Sequence, residues 1–304
     1  MKKAKKDLFS IACSLALLLY PQISQARPAS LSGTGLSLKL VGGAGYFYGG
    51  DLNSGLKGLL DSAKYRVGGS IEGDYRPLHW GPNLEGEFMV NLSPNLGVSF
   101  GLGYLQAKQQ VPIKGVILGT PPFVHYEGLI RQKVVAIPVK LGFCVALPLG
   151  HSFKLYANAG IGCYFGSVYW EKTEDSTNTD NHWHENWKGS KISPGYHGGL
   201  GFELSISKRV ALVLEGVGRH VLLKGPKGDF SSVHDTNGDR YENTTNDTTL
   251  WYYEEYVSMI MKYYPRTVFD SEKPRSFEYR RNIREGIVDL SGVSINLGIR
   301  IRIF

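Results

Sequence analysis

The chain has 304 residues, 20% charged and 12% aromatic, with 38 glycines and a formal net charge of +7. That length supports one large domain or two small ones. The charge excess is too mild to argue for a nucleic-acid ligand, and no apolar run beyond the N-terminus is long enough for a spanning helix.

Met1 to Ala26 has Lys2, Lys3, Lys5 and Lys6, an apolar stretch from Ile11 to Tyr20, and then Ser24-Gln25-Ala26. This is the pattern of a secretory leader with a small-x-small cleavage site. It predicts a signal peptide over 1–26 and a mature domain over 27–304. Four lysines less Asp7 remove a net +3 with the leader, leaving +4 of +7. Cys13 would leave with it. Cys144 and Cys163 remain, and the strand register below points their side chains to opposite faces, so two free thiols are expected.

Period-two alternation then recurs along the chain. Leu36 to Tyr48 sets Leu36, Leu38 and Leu40 against Lys39 and Val41. Leu84 to Leu92 sets Leu84, Phe88 and Val90 against Glu85 and Glu87. After the turn Ser93-Pro94-Asn95, Leu96 to Tyr104 sets Val98, Phe100 and Leu102 against Gly97, Gly101 and Gly103. Val135 to Leu147 sets Ile137, Leu141 and Phe143 against Pro138, Lys140 and Cys144, and Pro138 predicts a bulge. Phe153 to Tyr169 sets Leu155, Ile161 and Phe165 against Lys154, Tyr156 and Gly162. Tyr196 to Ile206 sets Leu200, Phe202 and Leu204 against His197 and Glu203. Val210 to Leu223 sets Leu212 and Leu214 against Glu215, Val217 and Arg219. The final stretch, from Ile287 on, sets Ile295, Leu297, Ile299 and Ile301 against Asn296, Gly298, Arg300 and Arg302.

Eight strands are thus expected. Turns at 93–95, 148–151 and 207–209 are short; connections 49–83, 105–134, 170–195 and 224–284 are long. One parity is greasy. The other holds Lys39, Glu85, Glu87, Lys140, Lys154, Glu203, Glu215, Arg219, Arg300 and Arg302 among many glycines. A soluble barrel would turn the greasy parity inward. The glycine-rich charged parity would be a bare water-facing wall, but it suits a tightly curved eight-strand interior filled by long ionic side chains. The expected fold is therefore all-β: an eight-stranded antiparallel up-and-down transmembrane barrel, with long outer loops, short periplasmic turns and a paired charge network in the lumen.

Strand pattern, leader and the closing residues Asn296, Gly298 and Phe304 resemble the small bacterial outer-membrane β-barrel proteins, of the kind of the OmpA membrane domain, OmpX and OmpW. In that family a terminal aromatic is an assembly signal. Arg302 departs from the pattern, which has an apolar residue there. The resemblance implies an outer-membrane location in a Gram-negative-type envelope, outer-membrane lipids and the barrel-assembly machinery as partners, and a monomer. It does not transfer an activity. An OmpW-like alternative would be a narrow channel for small apolar molecules.

Sites of chemistry are sparse. His182-Trp183-His184-Glu185 in the loop 170–192 matches no closed metal site. Asp235-Thr236-Asn237-Gly238-Asp239 resembles part of a calcium loop but lacks the distal Glu, and Asn-Gly favours a turn. Thr249 to Tyr264 places aromatics at three- and four-residue steps and predicts a helix. Leu52 to Lys64 predicts a second amphipathic helix capping the outer mouth. An outer-rim lipid hydrolase would need His with Ser; His125, His220 and His234, with Ser231 and Ser232, are the candidates. No cofactor and no catalysis are expected. The leading expectation is a structural or surface-interaction role through loops 49–83 and 224–284, toward an unnamed surface ligand.

Overall fold

The computed structural model describes residues 35–63, 65, 69–117, 124–176, 181–236, 239–276 and 279–303. The leader 1–26, Cys13, Phe304 and the Asn237-Gly238 pair lie outside them. The fold is all-β, antiparallel and barrel-like. Fourteen strands occur among the described residues, where eight were expected.

In chain order they are β1 (Leu36–Phe47), β2 (Gly69–Gly73), β3 (Trp80–Ser93), β4 (Leu96–Ile117), β5 (Val124–Pro148), β6 (Phe153–Ser176), β7 (Asn181–Ser205), β8 (Val210–Lys224), β9 (Lys227–Thr236), β10 (Asp239–Val257), β11 (Lys262–Asp270), β12 (Arg280–Glu285), β13 (Ile287–Asp289) and β14 (Gly292–Arg302). One helix, α1 (Asp51–Ala63), follows β1. Eight strands pair in a cycle. It runs β1, β3, β4, β5, β6, β7, β8 and β14, and β14 returns to β1 from Phe47↔Gly292 to Ser37↔Arg302. These eight contain the eight alternating segments of the sequence.

The parities separate cleanly. Leu40, Phe100, Leu141, Ile161, Leu200, Leu214 and Leu297 are exposed on the outside of the cycle. Lys39, Glu87, Lys140 and Arg300 are buried within it. Leu297 is 63% exposed and Arg300 4%. In water that arrangement would be inverted, because an apolar exterior of this extent has no solvent to suit it.

The expected long loops 105–134 and 170–195 are largely strand. β4 and β5 pair without a register shift from Leu96↔Val145 to Ile117↔Val124. β6 and β7 pair from Phe153↔Leu204 to Asp175↔His182. Above the apolar band the pattern of β4 inverts while its parity holds. Outward residues become Gln106, Lys108 and Gln110; inward ones become Leu105, Ala107, Val111 and Ile113. The strands continue from there as the wall of a second, outer section with a polar exterior and an apolar core of its own.

β7 forks. Its C-terminal half, from Gly195, pairs β8; its N-terminal half, to Ser190, pairs β9. From there β9, β10 and β11 extend the sheet, so 224–284 is built mainly of strands. Thr249–Tyr264, expected to be a helix, is the end of β10, a 3-10 turn at Ser258–Ile260 and the start of β11. Aromatic residues favour strands, and Tyr256↔Tyr263 is a cross-strand pair. Met261 closes that turn in the left-handed region, at φ 51°.

α1 matches its expected range, with Asp51 in its first turn held by Arg284 and by the Ile287 N–H. It packs Leu56 and Leu60 on Val111, Ile113 and Ile130 of β4 and β5. Gly55 and Gly58 let it lie close to Thr267 and Pro265 of β11. The helix therefore closes the open side of the outer section from within.

Pro138 causes no bulge. The β4–β5 register is the same before and after it, with Gly103 and Tyr104 dropping out of the ladder between Leu102↔Val139 and Leu105↔Ala136. Gly103 removes the conflict, since a Cβ there would lie 2.9 Å from the proline ring. Cys144 is buried and Cys163 exposed, both free thiols.

The seam β1–β14 closes the cycle and tolerates no side chain at Gly43, where a Cβ would fall 1.9 Å from the Ile295 carbonyl oxygen. Gly43→Val should abolish the compact, heat-modifiable form on a gel, whereas Gly216→Ala, with nothing within 4 Å, should leave it intact. Equal migration of both variants would contradict the seam.

Candidate functional site

The interior of the eight-strand cycle holds three ionic groups. Lys39 on β1 donates to Glu215 Oε2 on β8 at 2.9 Å and lies 3.3 Å from Glu87 on β3. Glu215 also accepts from Tyr156 Oη at 2.8 Å and from Asn296 Nδ2 at 3.1 Å. Asn296 in turn accepts from Asn83 Nδ2 at 2.7 Å. Lys140 on β5 pairs with Glu85. Toward the short-turn end, Glu203 receives Arg300 and Arg302, each at 2.6 Å on a different carboxylate oxygen.

Two of the expected members stand apart. Among the described residues Arg219 pairs with no carboxylate; its guanidinium donates to the carbonyls of Leu290 at 3.0 Å and Tyr46 at 3.4 Å and lies on the Phe47 ring. Lys154 is half-buried beside the short-turn rim, and no ion pair is formed by it among the described residues. Four of the six cations, Lys39, Lys140, Arg300 and Arg302, are thus matched by the four carboxylates, and the other two, Arg219 and Lys154, lie at the two ends of the lumen.

Three participants carry no formal charge, and the sequence reading missed their role. Tyr156, Asn83 and Asn296 share the inward parity of Lys154, Glu85 and Arg300, which was the available signal. The closing pattern accounts for Asn296 without pointing to this contact. Glycines supply the room: a Cβ at Gly201 would meet Tyr156 Cζ at 2.4 Å, and one at Gly162 would meet Lys140 Cγ at 3.1 Å.

Above the charges, the lumen is filled by an apolar cluster. Phe47, Leu105, Ala136, Tyr164, Val221 and Leu223 are all buried there, continuous with Trp187, Leu250 and Val288. Trp187 stacks on Phe269 at 4.3 Å and donates its indole N–H to Thr248 at 2.8 Å. Over this layer, beneath α1, lies a cavity of about 240 Å³ lined by Leu56, Gln132, Trp170, Glu185, Phe230 and Arg266. Burial pushes the Glu185 carboxyl above the ordinary carboxylate range, although Lys172 pulls it back in part.

The other candidate residues do not assemble. His182 and His184 sit on β7 rather than in a loop, and His182 meets Asp175 at 2.8 Å. No three His, Cys, Asp or Glu come together among the described residues. His125, His220 and His234 lie on β5, β8 and β9. His234 contacts Thr236 at 2.7 Å, and Ser231 and Ser232 pair with Thr244 and Asn243. His220 contacts Ser291 at 2.9 Å, but that hydroxyl is buried and accepts the Val221 N–H. Asp235 and Asp239 flank the β9–β10 turn.

Removing one partner from a buried ion pair strands the other charge, at about 3–5 kcal/mol. Lys39→Met should therefore lower the urea stability of the bilayer-refolded protein by roughly that amount; a loss no larger than that of a surface lysine substitution would contradict the pairing. For Glu185 the sign is opposite to that of a paired carboxylate. The folded state holds its proton more tightly, so stability falls as pH rises from the unfolded pKa through the raised folded one. Glu185→Gln should raise the stability of the outer section at neutral pH and flatten that pH dependence. An unchanged profile would contradict it.

Residues 15–245 match the family model described as an outer membrane protein beta-barrel domain. No curated protein matches the chain. Among solved structures, the outer membrane protease OmpT from Escherichia coli is 8% identical, with a TM-score of 0.38, 90% of this chain and 100% of that chain covered. OprG from Pseudomonas aeruginosa is 13% identical, with a TM-score of 0.34 and 89% and 97% covered. A major outer membrane protein from Thermus thermophilus is 13% identical, with a TM-score of 0.33 and 88% and 99% covered. These likenesses are too slight to carry an argument about activity. The family match spans most of the chain, and with the outward apolar parity it gives the conclusion: the chain belongs to the outer membrane protein beta-barrel family and is a protein of the outer membrane.

Proposed function

We propose that the chain is an eight-stranded up-and-down transmembrane barrel, closed to ions and without catalysis, that holds a folded outer section for contact at the cell surface. The observation that carries this reading is the apolar cluster between lumen and outer cavity. Ions rising through the lumen would meet the buried side chains of Phe47, Tyr164 and Leu223. Below it, the mid-lumen carboxylates are occupied by protein cations, which leaves them unavailable to a passing ion.

The contact surface is the outer section. The β10–β11 tip exposes Met259 and Met261, 60% and 82% accessible, on a tight turn. Flexible, polarisable methionine is well suited to adaptable contacts. Outer-membrane lipids, the barrel-assembly machinery and an unnamed surface ligand remain the proposed partners, with a monomer as the proposed state.

A second reading, passage of small apolar molecules, draws on a notch. β7 and β8 part above Gly195↔Val221, and Ile192, Pro194, Tyr196, His220 and Leu222 line the gap between them. Leu223 and Tyr164 fill the space behind it.

In planar bilayers the protein should show no stable conductance steps, and vesicles containing it should take up N-phenylnaphthylamine no faster than empty ones. Steady conductance would overturn the closed reading; accelerated uptake would favour the notch. Cells displaying Met259→Ser with Met261→Ser should adhere several-fold less to polystyrene and to one another. Unchanged adherence would remove the tip as the contact.

A further inference from the structure

We infer that the outer wall carries a binding row for the phosphates of outer-leaflet lipid. The inference rests on the transmembrane reading above. On four adjacent strands the register aligns Lys108↔Lys133, Lys133↔Tyr169 and Tyr169↔Lys188. All three lysines are exposed on the outward face. Lys133 and Lys188 both hold their ammonium groups 5.6 Å from the Tyr169 ring centre, one from each side.

Like charges directly across a sheet are destabilising. Several other outward cations have acids: Lys114 pairs with Glu127, Arg131 with Glu171 and Arg281 with Glu254. Among the described residues Lys108, Lys133 and Lys188 form no ion pair. Asp229, across from Lys188 on β9, makes none with it. The row is left with positive charge that an external anion would neutralise.

Its height selects the anion. Two rungs below, the outward residues are Tyr104, Ile137, Phe165 and Ile192, the top of the apolar band. Four residues along a tilted strand raise the row roughly 10 Å above that edge. Lysine stems reach back down from there toward the headgroup zone. Just below the row, Lys191 and Lys224 line the apolar notch, so chains and phosphates could be held side by side. Tyr169 between two ammonium groups fixes their spacing by cation–π attraction.

The test uses the full chain in nanodiscs of phosphatidylcholine, with bis-phosphorylated lipid A as probe and native mass spectrometry counting retained lipid. Wild type should retain lipid A, and Lys108→Ser/Lys133→Ser/Lys188→Ser should retain it at least about tenfold less. Arginine at the same three positions should restore retention, and high salt should weaken it. Lys114→Ser, higher on β4, should change nothing. Retention of dephosphorylated lipid A equal to that of the phosphorylated form would overturn the inference. So would equal retention by the triple variant, or soluble heparin binding that is lost in that variant while lipid A retention is not. Heat-modifiable migration and quenching by brominated lipid distinguish the two failures. If the triple variant is folded and quenched yet retains lipid A, only the row fails. If wild type is not quenched, the transmembrane reading itself fails.

Discussion

The interior of an eight-strand cycle is about wide enough to be filled by side chains. Ten inward positions here carry Lys, Arg or Glu, and the fold depends on satisfying them without water. Glu215 shows how. It gathers an ammonium, a phenol and an amide from three different strands, β1, β6 and β14. Asn296 is the cross-strand partner of Glu215, whereas the Lys39 and Tyr156 contacts each skip the wall strand between, β14 and β7. Arg300 and Arg302 do the same through Glu203, joining the last wall strand to β7. Such groups stabilise little by comparison with an apolar filling. Their effect is on register: a one-residue slip of any wall strand would turn its charges out to lipid.

The same parity rule, continued upward, builds the outer section. β4 to β7 keep their inward face inward from end to end, and only the chemistry of the two faces exchanges. Below, the apolar side is outward and the ions fill the interior. Above, the polar side is outward and Leu105, Val111, Ile113, Val134 and Trp187 form the core. The exchange occurs near Gly103 and Pro138, where the ladder between β4 and β5 is interrupted. At the fork in β7 the sheet changes partners, and β9 to β11 widen it beyond the eight-strand cycle. α1 fills the opening so created, with Arg284 tying its first turn to the returning chain.

Much of the wall was legible because its alternation is uninterrupted and each face has one chemistry. The charged parity named the inward residues, and glycines on that parity marked where long side chains need space. The outer strands were not legible in the same way. Gln106 to Lys114 still alternates, but with the polar set on the outward parity, so it reads as the end of the apolar-faced strand and not as its continuation. Thr249 to Tyr264 satisfies both helical and strand periods because most of its residues are aromatic or apolar; only its cross-strand partners decide. Arg219 was assigned to the ionic network by parity alone, and its height above the carboxylates, beside backbone carbonyls and Phe47, could not be read from alternation. Asn296 had a family pattern to explain it, which hid its hydrogen bond to Glu215.

The central claim is that the greasy parity faces lipid. Leu297, at 63% exposure on β14, lies in the middle of that face. Leu297→Arg, unfolded by urea from phosphatidylcholine bilayers, should be less stable than wild type by about 2–4 kcal/mol, the cost of a cation near the bilayer midplane. Stability equal to wild type would mean that Leu297 faces water, and the outward assignment would be contradicted.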